Sequence, residues 1–405
     1  MKTGKLYGTI LLVSVSILLS TSCSRKLPPE TLPSATTSSL MESVLEETVE
    51  TEETSISETT VSHGPFSSAV ITEHPVDVHG ALSVSGLGVS DSNSQPFIFR
   101  GVAVDLVSDD EGFINRDTIM TLTEDWGCNV IRVRLQVGDD TYGYLSDPDT
   151  YFNNMCSTID ICTEQGVYVI VDFDLPDGCD YVAIQETAVD FFTRLSAIYP
   201  DNNAIVYEIC SNVGAYSAED TENSISWSSD VRPYAEAVIS AIRGNGANNL
   251  IITGTPVYQS ETALASISLI EDGNLLYSFS DTASIPSSQA IGIPLIYTSM
   301  NGLIVTELQT LEDAGIGWCY CGIGPVGAFD NNLLDYSSDI LTEDEKVFGH
   351  WPDEFITTDG IAVRDFLIGL AAPSEEETAE TTGAEETSDT SSGETTSSSE
   401  TTAQG

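Results

Sequence analysis

Eight short runs rich in Val, Ile and aromatic residues recur through the middle of this chain, and helical stretches separate them. The runs are FIFRGVAV from Phe97, NVIRVRL from Asn129, YVIVDFDL from Tyr168, AIVYEIC from Ala204, LIITGTP from Leu250, LLYSFSD from Leu275, LIVTEL from Leu303 and GIGWCYC from Gly315. Between them, Asn115 to Trp126, Asp149 to Gln165, Ala183 to Ile198 and Ser229 to Arg243 carry helical spacing; in VRPYAEAVISAIR, Val231, Tyr234, Val238 and Ile242 share one face. Alternation of this kind confines a chain to parallel sheets, because parallel neighbours need a crossover between them. The runs are apolar nearly throughout, as strands covered on both faces must be. No Gly-rich phosphate loop follows the first run, which argues against an open doubly wound sheet. The pattern predicts an α/β fold, a closed (β/α)8 TIM barrel. A short hairpin at Ala81 to Val89 is expected to close its bottom. Barely two helical turns fit between Leu308 and Gly315, and the segment after Pro286 is only weakly helical. The barrel should therefore be eroded around its sixth and seventh crossover helices.

The flanks have a different composition. Residues 1–23 carry Lys2 and Lys5, an apolar run from Ile10 to Leu19, and then Ser20-Thr21-Ser22-Cys23. That is the layout of a secretory signal, and the run is too short to span a bilayer. Small residues ahead of Cys23 resemble the site at which bacterial lipoproteins are cleaved and lipidated, although Ser20 stands where an aliphatic residue is usual. Cys23 is thus the expected lipidation site. The expected location is the outer side of a cell membrane, or the medium if Cys23 is not lipidated. Residues 24–78 are rich in Ser, Thr and Glu, and residues 371–405 in Thr, Ser, Glu and Gly, so neither tract buries enough apolar surface to order itself. The globular part is 79–370.

Charge narrows the partners. The chain has 13 Lys and Arg against 63 Asp and Glu, a formal net charge of -50. In the globular part Lys346 is the only lysine. Nucleic acid is excluded as a partner by simple repulsion. Seven cysteines follow Cys23, an odd number, with no paired CxxC or His set to hold structural zinc. No cofactor is implied.

Catalytic residues of a barrel sit at the C-terminal ends of its strands. There the sequence resembles glycoside hydrolase family 5, the bacterial cellulase type. GALSVSGLGV, FIFRGVAV, EDWGCNVIRVRL, GVYVIVDFD, IVYEI, VRPYAEAVISAIR, LIITGTP and LIVTE follow the family's order and spacing. The resemblance implies a retaining β-glycosidase with one Glu as acid/base and a second as nucleophile, about 5 to 5.5 Å apart. It places the nucleophile at Glu307 and its steadying arginine at Arg132.

The fourth strand departs from the family. The pattern Tyr-Glu-Ile-x-Asn-Glu-Pro falls on Tyr207 to Val213, which puts Asn212 at the acid/base position and Ser211 at the asparagine that binds the sugar 2-hydroxyl. An amide cannot donate that proton. Asp105 and Asp174 stand where the family has histidines. Ser280 and Thr282 replace its His and Tyr on the sixth strand, and Trp318 lies near a position where a tryptophan floors the sugar site. The resemblance thus implies a degraded catalytic site, a pseudoenzyme that binds β-glucan or a related polysaccharide. Two other readings stay open. One is an active hydrolase whose acid has moved to Glu208, Asp105, Asp174 or Asp281; the other is a calcium-binding or structural surface protein, with Asp105, Asp174 and Asp281 as candidate ligands. Loop tyrosines 142, 144, 181 and 258 are candidate sugar platforms.

Overall fold

The computed structural model describes residues 74–371 apart from 107–112, 177, 212, 214–224, 257–267, 299–304, 325–331 and 347. All of these lie in the unit Ser62–Gly405. The signal, the acidic tail and nearly all of the linker expected from the sequence are outside the described residues, as are Asn212 and Tyr258.

The chain enters through a short helix, α1 (Pro75–His79), and a three-stranded antiparallel sheet of β1 (Ser83–Ser85), β2 (Gly88–Ser90) and β3 (Pro96–Phe97). Eight parallel strands then close into a barrel: β4 (Arg100–Asp105), β5 (Val130–Gln136), β6 (Tyr168–Asp174), β7 (Ile205–Ser211), β8 (Ile251–Thr253), β9 (Leu275–Phe279), β10 (Leu295–Tyr297) and β11 (Gly317–Ile323). The principal crossover helices are α2 (Arg116–Met120), α3 (Pro148–Glu164), α4 (Tyr181–Ile198), α5 (Arg232–Gly244), α6 (Ile285–Ala290) and α7 (Val305–Asp313). A four-residue turn, α8 (Glu343–Lys346), and the final helix, α9 (Thr358–Ala371), complete the described chain.

Successive residues of a strand face opposite sides of a sheet. Here that rule divides the core in two. Ile131, Val133, Val169, Val171, Phe173, Tyr207, Ile209, Tyr277 and Trp318 pack outward beneath the helices. Val130, Tyr168, Ile170, Val206, Ile252, Leu276, Ile296 and Cys319 fill the barrel's lower interior, where Leu82, Val89 and Phe97 of the antiparallel cap plug it from below. The Tyr168 hydroxyl donates to Gly80 O at 2.6 Å and so ties the plug to the barrel wall.

Helix starts follow local chemistry. Asp147 accepts from Thr150 N at 3.3 Å ahead of Pro148, and Asp180 accepts from Val182 N and Ala183 N at 3.0 and 3.2 Å. α2 runs on into a π-helical turn, Thr121–Asp125, and another, Trp227–Val231, precedes α5.

Two expectations are corrected. LIVTEL is not the seventh barrel strand: that strand is Leu295–Tyr297, and Val305 onward is α7. Val305, Leu308 and Leu311 recur every three residues, and Leu308 and Leu311 are fully buried while Thr306, Gln309 and Thr310 are exposed. That is a helix period, read wrongly in a β-branched run. For the same reason the seventh crossover helix is not nearly absent but nine residues long. The sixth, α6, is short at six residues.

Phe99 is fully buried where the plug meets the barrel, with ring centroids 5.1 Å from Phe97 and 6.2 Å from Tyr168. Phe99→Ala is expected to destabilise the fold by about 3–5 kcal/mol in urea denaturation, because the closed end leaves little room for collapse.

Candidate functional site

The inward parity that places Val130 inside the barrel also places Arg132 and Arg134 there, one and two layers nearer the mouth. By the same count Ile170 leads to Asp172 and Asp174, and Val206 leads to Glu208. The upper interior therefore holds charged groups above an apolar floor. Arg132 Nη2 lies 2.7 Å from Asp172 Oδ2, Arg132 Nε lies 2.7 Å from Glu208 Oε2, and all three side chains are fully buried. The Thr298 hydroxyl donates to Glu208 Oε1 at 2.5 Å. One layer higher, Arg134 grips Asp105 with two donors, Nε to Oδ1 and Nη2 to Oδ2, the latter at 2.6 Å. Arg134 Nη1 is 3.6 Å from Asp174 Oδ2, and the Ser211 hydroxyl donates to Asp174 Oδ1 at 3.2 Å.

Four carboxyl groups thus surround two guanidiniums in a largely buried space. Desolvation disfavours the charged form of each acid. Burial, with the nearby Asp172 charge, pushes Asp174 up to about 7. Burial also raises Asp172 and Glu208, against the pull of Arg132, and raises Asp105 against the pull of Arg134. Arg132 stays protonated because Asp172 and Glu208 outweigh its own desolvation.

The expected site residues separate into two groups. Arg132, Asp105, Asp174 and Ser211 converge on this cluster. Glu307 does not: it stands in the first turn of α7, half-buried, where Thr282 donates to it at 2.7 Å. Arg132 pairs with Asp172 and Glu208. The end of the true seventh strand reads Tyr297-Thr298-Ser299-Met300, without a carboxylate. Ser280 follows β9, and its carbonyl accepts from the Tyr297 hydroxyl at 3.2 Å. Trp318 is no sugar platform, because odd and even positions of β11 face opposite sides and Trp318 falls outside the barrel. It is fully buried against Phe366, and its Nε1 donates to Glu312 at 2.8 Å.

Asp281 is exposed and caps the turn Thr282–Ser284, accepting from Ala283 N at 3.0 Å. It does not join Asp105 and Asp174. Those two are brought together by the Arg134 guanidinium. Of the loop tyrosines, Tyr144 packs against Phe173 and Phe191, Tyr181 packs against Tyr234, and Tyr142 is exposed. Cysteines 128, 156, 162, 179, 210 and 319 are free thiols.

Arg134 and Asp172 were missed in the sequence. The signal was present: each lies two residues along a strand from a residue already singled out, Arg132 and Asp174, and so shares its face.

Residues 90–281 match the family described as cellulase, glycosyl hydrolase family 5. An endoglucanase of Clostridium saccharobutylicum is 26% identical over 310 residues, which cover 73% of this chain and 67% of that protein. The cellulase CelDZ1 of a Thermoanaerobacterium species is 30% identical over 241 residues, 57% of this chain and 62% of that protein. Among solved structures, the catalytic domain of Thermobifida fusca endoglucanase Cel5A (E5) superposes with a TM-score of 0.61 at 21% identity, covering 73% of this chain and 99% of that one. The catalytic domain of an alkaline cellulase K gives 0.62 at 20% identity, covering 73% and 95%.

Two outcomes follow from the buried cluster. Arg132→Met strands Asp172 and Glu208 without their cation and is expected to cost about 3–5 kcal/mol in chemical denaturation. Stability should also rise as pH falls. Asp174 has a folded-state value above its ordinary one, so its contribution is complete below about pH 4 and is lost as pH climbs through about 7. Urea midpoints between pH 8 and 5 should increase with acidity, and Asp174→Asn should flatten that slope by up to about 1.4 kcal/mol per pH unit.

Proposed function

Within glycosyl hydrolase family 5, to which this barrel belongs, we propose that the chain is an exported, surface-anchored, cellulase-like domain with impaired hydrolysis and a retained capacity to bind β-glucan or a related polysaccharide. One observation carries the impairment: neither strand end that should present a catalytic carboxyl does so. β7 runs into Ser211-Asn212 and β10 into Thr298-Ser299. Retaining hydrolysis divides its work between a proton donor and a nucleophile on opposite sides of the scissile bond. Amides and hydroxyls at those positions supply neither. In addition, Asp105 and Asp174 engage Arg134 instead of presenting ring nitrogens to a sugar.

Support for binding comes from the relatives. A variant of the Thermobifida fusca endoglucanase was solved with cellotetraose. Exposed Tyr142 offers an aromatic face at the loop after β5. Export and anchoring rest on the apolar run Ile10 to Leu19 and on Cys23.

A second reading, hydrolysis with a displaced acid, is favoured by one feature. Asp174 closes β6 at the mouth and holds its proton up to about 7, as a general acid must near neutral pH.

The deciding experiment is turnover of β-glucans, mannans and xylans by the full chain beside a working family 5 endoglucanase. Loss of the acid alone removes about 10²- to 10⁴-fold, so a rate at least about 10⁴-fold below the comparator is expected with both groups missing. Rates within about 100-fold of it would overturn the impairment. In that event Asp174→Asn should abolish activity under the displaced-acid reading, which keeps Glu307 as nucleophile, and Glu307→Gln should abolish it as well.

A further inference from the structure

The end of the barrel opposite the mouth holds a cavity of about 350 Å³, within the size range of small-ligand sites. Three pieces of chain enclose it: Ala81 and Leu82 of the cap, the turn that leads from Pro200 into β7, and the turn that leads from Gly246 into β8. Each of these turns carries a pair of asparagines, Asn202-Asn203 and Asn248-Asn249, and one side chain of each pair builds the wall. Asn202 Oδ1 accepts from Ala204 N at 3.0 Å, and Asn249 Nδ2 donates to Asn202 O and Ile205 O at 2.8 and 2.9 Å, so the two turns are joined. Asn274 fastens the cap to them: its Nδ2 donates to Asn248 O at 2.8 Å and its Oδ1 accepts from Val84 N at 2.8 Å. Arg243 Nη1 donates to Ala247 O and Asn249 O at 2.9 Å each. The walls are thereby set before a ligand arrives, which lowers the ordering cost of binding.

The other member of each pair is uncommitted. Asn203 and Asn248 line the cavity with Asp201, all three are exposed, and none of their side chains hydrogen-bonds to a described residue. Leu82, Val206 and Leu250, which belong to the lower core, add an apolar wall, and no lining residue is basic or aromatic. That composition selects a ligand class. Phosphates and sugar acids would meet the Asp201 charge with no cation to offset it. Calcium draws on several charged oxygens, and one carboxylate supplies too few. A wholly apolar ligand would desolvate two amides without pairing them. Each amide carries donors and an acceptor side by side, whereas the carboxylate only accepts. Neighbouring hydroxyls of a sugar ring both donate and accept, so they satisfy the amides and Asp201 together while ring C–H groups meet the apolar wall.

We propose that this cavity is a binding site for a neutral sugar of one or two rings, held by Asn203, Asn248 and Asp201 between the cap and the starts of β7 and β8. Binding is non-covalent. It is weak, because the site offers a few hydrogen bonds and no aromatic face. The site lies at the far end of the strands from the charged cluster and is independent of whatever the mouth binds or cleaves.

The test is amide hydrogen exchange of the full chain titrated with cellobiose, read by mass spectrometry on peptides that cover Tyr199 to Val206 and Asn245 to Ile251. Exchange in both is expected to slow saturably, with half the effect at about 1–10 mM, the strength of a few hydrogen bonds without stacking. The double variant Asn203→Ala/Asn248→Ala should raise that concentration at least about tenfold. Both side chains are exposed and unbonded, so its urea midpoint should match that of the unaltered chain. If the variant does not fold, the comparison of cellobiose with open-chain sorbitol on the unaltered protein decides, since only the ring form fits the wall and the amides at once. Absence of slowing at these two segments, equal slowing by sorbitol, or an unchanged half-effect in a folded double variant overturns the site. Slowing confined to peptides of the barrel mouth also overturns it, while leaving the β-glucan reading of the mouth intact.

Discussion

The cost of enclosing charge inside a closed barrel governs this structure. Eight parallel strands enclose an interior shielded from bulk solvent, so an ionised group whose side chain points inward must find an opposite charge within that space or tend to give up its ionisation. Arg132 answers to Asp172 and Glu208 at 2.7 Å, and Arg134 answers to Asp105. The apolar floor of Val130, Ile170, Val206 and Leu276 beneath them sharpens the demand, because it lowers the local dielectric and closes the route to solvent from below. Partners, proton affinities and the shape of the mouth all follow from that enclosure.

The same cluster explains how acids are accommodated at the barrel mouth. Asp105 and Asp174 alone would destabilise the strand ends by mutual repulsion. Arg134 removes that conflict by standing between them, one residue pair above Arg132 on the same strand face. Asp105, Asp174, Ser211 and Arg134 therefore form one unit joined by hydrogen bonds and ion pairs, and energies within such a unit are not additive. A single replacement, such as a histidine at position 174, would meet an environment built for a carboxyl group.

Much of the fold was legible in the sequence because its signals are local and repeated. Strand runs at Asn129, Tyr168 and Ala204 and helical spacing at Asp149 to Gln165 and Ala183 to Ile198 match the observed elements within a few residues. The error at LIVTEL shows the limit of that reading. A short β-branched run does not distinguish a strand from the first turn of a helix, and the three-residue strand Leu295–Tyr297 was hidden between a glycine-proline turn and polar residues. Glu307 was drawn into the site by that single misplacement. Trp318 was misjudged for a related reason: its side of β11 depends on register, where one residue inverts the face.

The sequence by itself determined the barrel, the cap beneath it and the inward alternation of Arg132, Arg134, Asp172, Asp174 and Glu208, since period and parity are properties of consecutive residues. Only the tertiary structure decided who pairs with whom. Asp105 meets Arg134 across 29 positions of chain, and Arg132 meets Glu208 across 76. Such pairings are set by strand register and barrel closure, and electrostatics in an enclosed space then selects which carboxyl keeps its proton.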